Sequence, residues 1–314
     1  MEILFELSKE HPTLPIGEIK ACLKTYGIEY EEIYHNDFFI IKTNRSLENI
    51  AKRLAMTFSI NEILGHDENF IKNLEIKGTF KIEGGNLLLR KKIGEKIVKE
   101  KGSKVNLKNP DTKIKIFIDG KTYFCKELFK IDRKQFEKRR GSKRPFSLPT
   151  TMHPRIARVL VNLARLKEND IMLDPFCGTG GILIEAGSIG IRTIGIDIKE
   201  NAIKGCKKNM EYYGIKNYKL YNADMKDLDF SNIDGIVTDF PYGRASYICD
   251  AKKLYGEAFE KIHKWLKKGG IAVVGLPSLA YRNLAKKYFE ILEIHCARVH
   301  KSLIRYFYVM KKAI

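Results

Sequence analysis

The chain has 314 residues, of which 57 are Lys or Arg and 38 are Asp or Glu, a formal net charge of +19. Apolar residues make up 44%, which supports a sizeable core and two domains and excludes a disordered chain. No apolar run reaches membrane-spanning length, no signal-peptide pattern follows Met1, and the six Cys form no Cys-x-x-Cys pair, so a membrane span, a metal centre and a disulfide scaffold are not expected. Scattered free thiols suit a cytoplasmic protein. The excess of cations points to a polyanionic partner, nucleic acid ahead of membrane.

Residues 3–7 alternate as a strand. A helix is expected from Pro15 to Tyr26, with Ile19, Cys22, Leu23 and Tyr26 on one face and Gly27 ending it. Strands follow at 28–34 and 38–42, and Ser46 is placed to cap a helix running to Met56. These elements make residues 1–60 a small α/β unit, with a second unit over 61–129. In that second unit Asp119-Gly120 lies between two alternating runs, a strong hairpin signal. Before it lies a basic helical stretch with Ile93 and Ile97 on one face; Arg90, Lys91 and Lys92 are its candidate phosphate contacts, against the alternative of an ordinary solvated helix. Residues 130–144 hold eight cations against two anions and read as a basic linker, with Arg133, Lys138, Arg139, Arg140, Lys143 and Arg144 as candidate nucleic-acid contacts.

The third region, 145–314, opens with a helix that Thr151 or His153 caps, Pro154 standing in its first turn. Ile171-Met172-Leu173-Asp174 then reads as a buried strand, followed by a Gly-rich turn and the helical run from Ile182. This is the first crossover of an open parallel sheet, whose ligand site lies beyond the carboxyl ends of the strands. Neither the dinucleotide fingerprint nor a P-loop is present, which leaves a nucleoside site with little phosphate to hold. A second strand ends in Asp197, placed to grip a ribose diol. A third leads to Asp224 and Met225, suited to an adenine amino group and ring. A fourth ends in Asp239-Phe240-Pro241-Tyr242. A carboxylate beside a backbone carbonyl can accept both N–H bonds of an exocyclic amine and aim its lone pair at a methyl donor. Tyr242 can stack on the base, worth on the order of 1–3 kcal/mol. Helices at 199–213 and 251–268, a strand at 271–275, and two final strands at 291–299 and 303–311 complete the pattern.

Asp174-Pro175-Phe176-Cys177-Gly178-Thr179-Gly180 and Asp239-Phe240-Pro241-Tyr242 resemble the cofactor and catalytic loops of amino-group methyltransferases that use S-adenosylmethionine. The run from Arg144 to Ala164 resembles the start of the catalytic domain in archaeal tRNA guanine-N2 methyltransferases acting at tRNA position 10. Val105 to Asp111 resembles part of a THUMP domain, an RNA-binding module of tRNA-modifying enzymes. The resemblance implies an α/β fold: a Rossmann-like methyltransferase sheet with an amino-terminal α+β THUMP-type region. It implies cofactor contacts from Asp174, Phe176, Cys177, Gly178, Thr179, Gly180, Asp197, Ile198, Asp224 and Met225. Asp239, the Phe240 carbonyl and Tyr242 are then the catalytic group, tRNA is the partner, and no metal is required. Cys177 is a loop residue in this motif and not a nucleophile. The family usually has Pro where this chain has Phe240, so two rivals stay open. One is methylation of another guanine in tRNA or ribosomal RNA, or of adenine N6 in DNA. The other is a non-catalytic RNA-binding protein with a degenerate domain. The oligomeric state is left open, a monomer included.

Overall fold

The computed structural model describes residues 1–148, 151–241, 251–300 and 303–313. In chain order the longer elements are β1 (Glu2–Leu7), α1 (Leu14–Thr25), β2 (Glu31–His35), β3 (Phe38–Lys42), β4 (Thr57–Gly65), β5 (Phe80–Gly84), α2 (Leu87–Lys101), β6 (Thr112–Asp119) and β7 (Lys121–Lys130). They continue with α3 (Pro154–Leu163), β8 (Ile171–Asp174), α4 (Gly181–Gly187), β9 (Arg192–Asp197), α5 (Glu200–Tyr212), β10 (Tyr218–Asn222), β11 (Ile233–Asp239), α6 (Ala251–Trp265), β12 (Leu266–Leu276), β13 (Glu290–His300) and β14 (Leu303–Lys311). Two compact units result: residues 1–10, 28–52 and 57–132 form one, and residues 11–27, 53–56 and 133–314 the other.

The first unit is a single seven-stranded sheet of order β2-β3-β1-β4-β7-β6-β5, antiparallel except where β5 meets β6. Its β6–β7 hairpin turns at Gly120, whose φ of +66° suits a residue without a Cβ. The Asn86 side chain caps α2 by accepting from the Leu89 N–H at 2.8 Å. Ile93 and Ile97 of α2 are fully buried with Ile114, Ile116 and Phe124 of the sheet. Each buried Ile contributes roughly 1.5–3 kcal/mol.

This architecture corrects the expected division at residue 60. That boundary falls inside β4, which pairs with β1 on one side and β7 on the other, so residues on both sides of it share one sheet. The helix expected from Ser46 to Met56 is only Glu48–Ala51. The chain leaves the helix because the Ala55 and Met56 N–H groups donate to the buried Glu18 carboxylate, at 2.9 Å each. Glu18 lies on α1, so both α1 and residues 53–56 cluster with the second unit. The basic stretch is not a free linker either: from Arg133 onward it belongs to the second unit, with Phe136 fully buried in its core.

The second unit has a seven-stranded sheet of order β10-β9-β8-β11-β12-β14-β13. The first five strands are parallel, and the closing β13–β14 hairpin is antiparallel. Strand side chains alternate between two cores. Met172, Val237, Val273 and Val309 pack with α3, α4 and α5 on one face. Their neighbours Leu173, Ile236, Val274 and Tyr308 pack with α6 on the other, where Trp265 is fully buried. His153 caps α3 by accepting from the Arg155 N–H at 3.2 Å, with Pro154 in the first turn. The helix expected to run to residue 268 stops at Trp265, because Leu266 already pairs with Ile233 as the first residue of β12. Strand order reverses between β8 and β11, which puts the ligand crevice at their carboxyl ends.

Candidate active site at the carboxyl ends of the parallel strands

Asp174 ends β8 with only 1% of its surface exposed. Its carboxylate accepts from the Phe176 N–H at 3.1 Å and so shapes the turn that follows. Burial pushes its pKa up to about 7, and the charges of Asp197 and Asp239 add to that effect. Gly178 and Gly180 take φ of +52° and +83°, the left-handed region that favours Gly. A Cβ on Gly180 would collide with the Cys206 sulfur on α5. The loop is tied to β9 by the Cys177 N–H donating to the Ile196 carbonyl at 2.9 Å. Asn209 of α5 holds it from behind, donating to the Thr179 carbonyl at 2.9 Å.

Asp197 ends β9. One oxygen accepts from the Gly178 N–H and the other from the Lys199 N–H, both at 2.9 Å. Each oxygen keeps a second lone pair for a hydroxyl. Ile198 beside it is 67% exposed. Asp224 caps a short 3-10 turn by accepting from the Lys226 N–H at 2.9 Å. Met225 is buried with Leu173 and Ile196 beneath the strand ends. Phe176, Cys177, Gly178 and Thr179 therefore sit on one loop that joins Asp174 to Asp197.

Asp239 ends β11, the strand beside β8. One oxygen pairs with Arg305 Nη1 at 3.0 Å; the other is buried and has no hydrogen-bond partner. Burial raises its pKa to about 6, against the lowering effect of the guanidinium. Phe240 is fully buried, edge-on to Phe176 at 5.3 Å between ring centres and tilted against Tyr255 and Phe259. Its N–H donates to the Gly275 carbonyl at 3.0 Å, a bond that Pro cannot make. The Tyr255 hydroxyl donates to the Pro241 carbonyl at 2.8 Å. Tyr242 lies outside the described residues.

Two of the expected nucleic-acid contacts, the half-buried Arg139 and the buried Arg144, are taken up in the packing of the second unit. Arg139 holds the fully buried Glu185 of α4 through two bonds of 2.6 and 3.0 Å. Arg158 pairs with the same carboxylate at 2.9 Å. Arg144 is 7% exposed, donates to the Arg139 carbonyl, and lies against Gly181. Neither guanidinium is displayed to a polyanion, because a buried acid and the packing of the chain claim them. Arg90 donates to the Gly84 and Gly85 carbonyls and is half-buried, and Arg133 is likewise half-buried. Lys91, Lys92, Lys138, Arg140 and Lys143 remain exposed. Of these, Lys92 pairs with Glu68 and Arg140 with Glu137.

The sequence reading missed Arg305, Gly275 and Tyr255. Arg305 had a signal. It has the inward parity of Phe307 and Val309 on β14, where an unexplained charge asks for a partner. Among the described residues no cluster of His, Cys, Asp or Glu could hold a metal ion, and no helix is long and apolar enough to cross a membrane.

Parallel sheet, glycine loop, acids at successive strand ends and antiparallel closing hairpin together define a Rossmann-like methyltransferase domain that uses S-adenosylmethionine. A family model described as "RMKL-like, methyltransferase domain" matches residues 141–306, and one described as "DNA methylase" matches residues 24–208. The tRNA (guanine(10)-N2)-dimethyltransferase of Methanothermobacter thermautotrophicus is 34% identical over 99% of this chain and 100% of its own length. The Pyrococcus abyssi protein of the same name is 33% identical over 96% of both chains. The crystal structure of TrmN from Thermus thermophilus has the same fold, with a TM-score of 0.56 and 19% identity over 99% of this chain and 100% of that one. The chain belongs to the archaeal tRNA (guanine(10)-N2)-dimethyltransferase family.

Proposed function

We propose that this protein transfers a methyl group from S-adenosylmethionine to the exocyclic N2 amine of a guanosine in tRNA, at position 10, and repeats the transfer on the same nitrogen. The observation that carries this reading is the buried, unpartnered oxygen of Asp239. A buried acceptor left unpaired costs about 1–3 kcal/mol, so a substrate N–H that fills it gains that much. The names of the full-length relatives support guanine, position 10 and the second transfer.

The residues fit the cofactor. Asp174, Asp197 and Asp239 make the strand ends electronegative, which suits a ligand with a cationic centre. Asp197 would hold the ribose hydroxyls, Asp224 the adenine amine, and Met225 the apolar floor below the ring. The glycine loop from Phe176 to Gly180 would pass close beside the ligand. When bound, S-adenosylmethionine supplies a methyl group activated by a sulfonium.

Asp239 and the Phe240 carbonyl would each accept an N–H of the target amine and turn its lone pair toward the methyl group. Orientation of this kind accounts for much of such a reaction's acceleration. The nitrogen must lose a proton on transfer, and the Asp239 carboxylate would take it. A monomethylated amine still carries one N–H, which is all that this carboxylate needs for a second round. Phe240 fits an active loop: its aromatic packing and its bond to Gly275 take over the rigidity that Pro supplies elsewhere in the family. If the target base is paired it must be extruded, at a cost of a few kcal/mol. The first unit, read as a THUMP-type domain, and the exposed Lys138, Arg140 and Lys143 would offset that cost by holding the tRNA body.

Labelled S-adenosylmethionine incubated with unmodified tRNA transcripts tests the reading. Nuclease digestion and mass spectrometry should place one and then two methyl groups on N2 of guanosine 10. Label on DNA adenine, or cofactor binding without label on any RNA, would sink it.

A further inference from the structure

We infer that Arg305 is a positioning residue of the transfer: it pairs with one oxygen of Asp239 and so fixes the carboxylate that, beside the Phe240 carbonyl, accepts from the substrate amine. This rests on the methyltransferase reading given above. The geometry has three parts. Arg305 Nη1 lies 3.0 Å from Asp239 Oδ2, with the Arg305 side chain 6% exposed and the Asp239 side chain 19%. Asp239 Oδ1 is buried and unpartnered. Between the two strands runs β12, and its residue in register with Asp239 is Gly275. A Cβ there would collide with Asp239 Oδ1. Gly275 therefore opens the space in which the carboxylate lies, and Arg305 reaches it from β14 across the end of β12.

The carboxylate would otherwise be free to turn about its last bond and offer either oxygen, or to take up a proton. A guanidinium fixed on one side removes the first freedom and opposes the second. Few other groups share that task. Among the described residues, those facing Asp239 are Asp174 from β8, which holds its proton to a higher pH than Asp239 does, Tyr255 from α6, neutral at ordinary pH, and Arg305 from β14. β12 contributes only Gly275. Arg305 is thus the one cation among these groups. Without it, burial would raise the pKa of Asp239 further above its present value of about 6.

The test compares wild type with Arg305→Met and Arg305→Lys over pH 5.5 to 9.5, measuring kcat and KM on tRNA and cofactor Kd by calorimetry. The wild-type rate should rise along an acid limb centred near pH 6. In Arg305→Met that limb should move up by at least one pH unit, with kcat at pH 7 reduced at least tenfold, partial recovery at pH 9, and cofactor Kd within twofold. Arg305→Lys should bring the limb back toward wild type. A limb that stays in place in Arg305→Met, or a loss equal at every pH that Lys does not rescue, overturns the inference. A second measurement needs no activity: titration of the Asp239 carboxyl carbon by 13C NMR, with the resonance assigned through Asp239→Asn. It should show the same upward shift in Arg305→Met, and an unchanged titration also overturns the inference. Wild type that labels no RNA, with the Asp239 titration still shifted, would reject the tRNA reading while leaving the pair intact.

Discussion

Asp174 and Asp239 end neighbouring strands of one sheet, yet their carboxyl groups are held in opposite ways. Asp174 is satisfied locally, by the N–H of a residue two positions on, and its environment keeps it almost wholly buried. Asp239 has its charge partner two strands away, on β14, and its other oxygen is buried without a partner. The first arrangement suits a group that shapes a loop around a ligand. The second suits a group that must face a reactant in one orientation. Burial raises both pKa values, but only Asp239 has a guanidinium to oppose the rise.

The contrast can be broken most sharply at Asp239. Asp239→Ala should lower kcat by about 10³-fold, the scale of a lost proton acceptor, with cofactor Kd nearly unchanged in calorimetry. A large loss of cofactor affinity would show that the two acids do not divide the work in this way. Gly275→Ala should cost roughly 10²-fold in kcat, because displacing the carboxylate by a fraction of an ångström spoils alignment. Single-turnover rates against thermal melts separate that effect from misfolding.

Asp174→Asn should act on binding and on stability with opposite signs. Cofactor Kd should rise about tenfold, the scale of one charge-assisted hydrogen bond. The folded-state pKa, about 7, lies above the ordinary carboxyl value, so the folded protein keeps this proton at pH values where the unfolded chain has lost it. The carboxyl group therefore costs progressively more stability as pH rises from the ordinary value to about 7. Asn removes that cost, so Tm should rise by a few degrees at pH 8, and the gain should vanish near pH 4. An equal gain at both pH values would rule out titration as the cause. The smallest effect on turnover is expected from Phe240→Pro. It deletes the bond to Gly275 and the ring packing, costing roughly 2–4 kcal/mol of stability. The rate should stay within severalfold, since the carbonyl and the neighbouring carboxylate remain. Tm and kcat measured on the same preparation would sharpen the point.

The Asp174 side of this contrast was legible in the sequence, because its signals are local: an apolar strand, an acid, glycines, then a helix. The hairpin at Gly120 and the cap of α3 were legible for the same reason. Arg305 was not paired with Asp239, since nothing in a linear pattern says which distant strand lies beside β12. The false boundary at residue 60 has the same origin. β4 carries an ordinary strand pattern, and its partners β1 and β7 come from far apart in the chain. Arg139 and Arg144 were misjudged because composition counts charges without showing that a buried Glu185 awaits one of them.

The order of strands at the end of the second sheet bears on how the enzyme comes to life. β14 follows β13 in the sequence, but it lies inside, between β12 and β13. β13 cannot take its final place until β14 has been made and slotted against β12. The two must therefore dock as a pair, late in folding, because pairings distant in sequence form slowly. Arg305 travels with them. A growing chain can assemble the cofactor crevice of β8 and β9 well before that moment, but its Asp239 stays without Arg305 until β14 has docked. Competence to modify RNA is in this way tied to the docking of the β13–β14 hairpin.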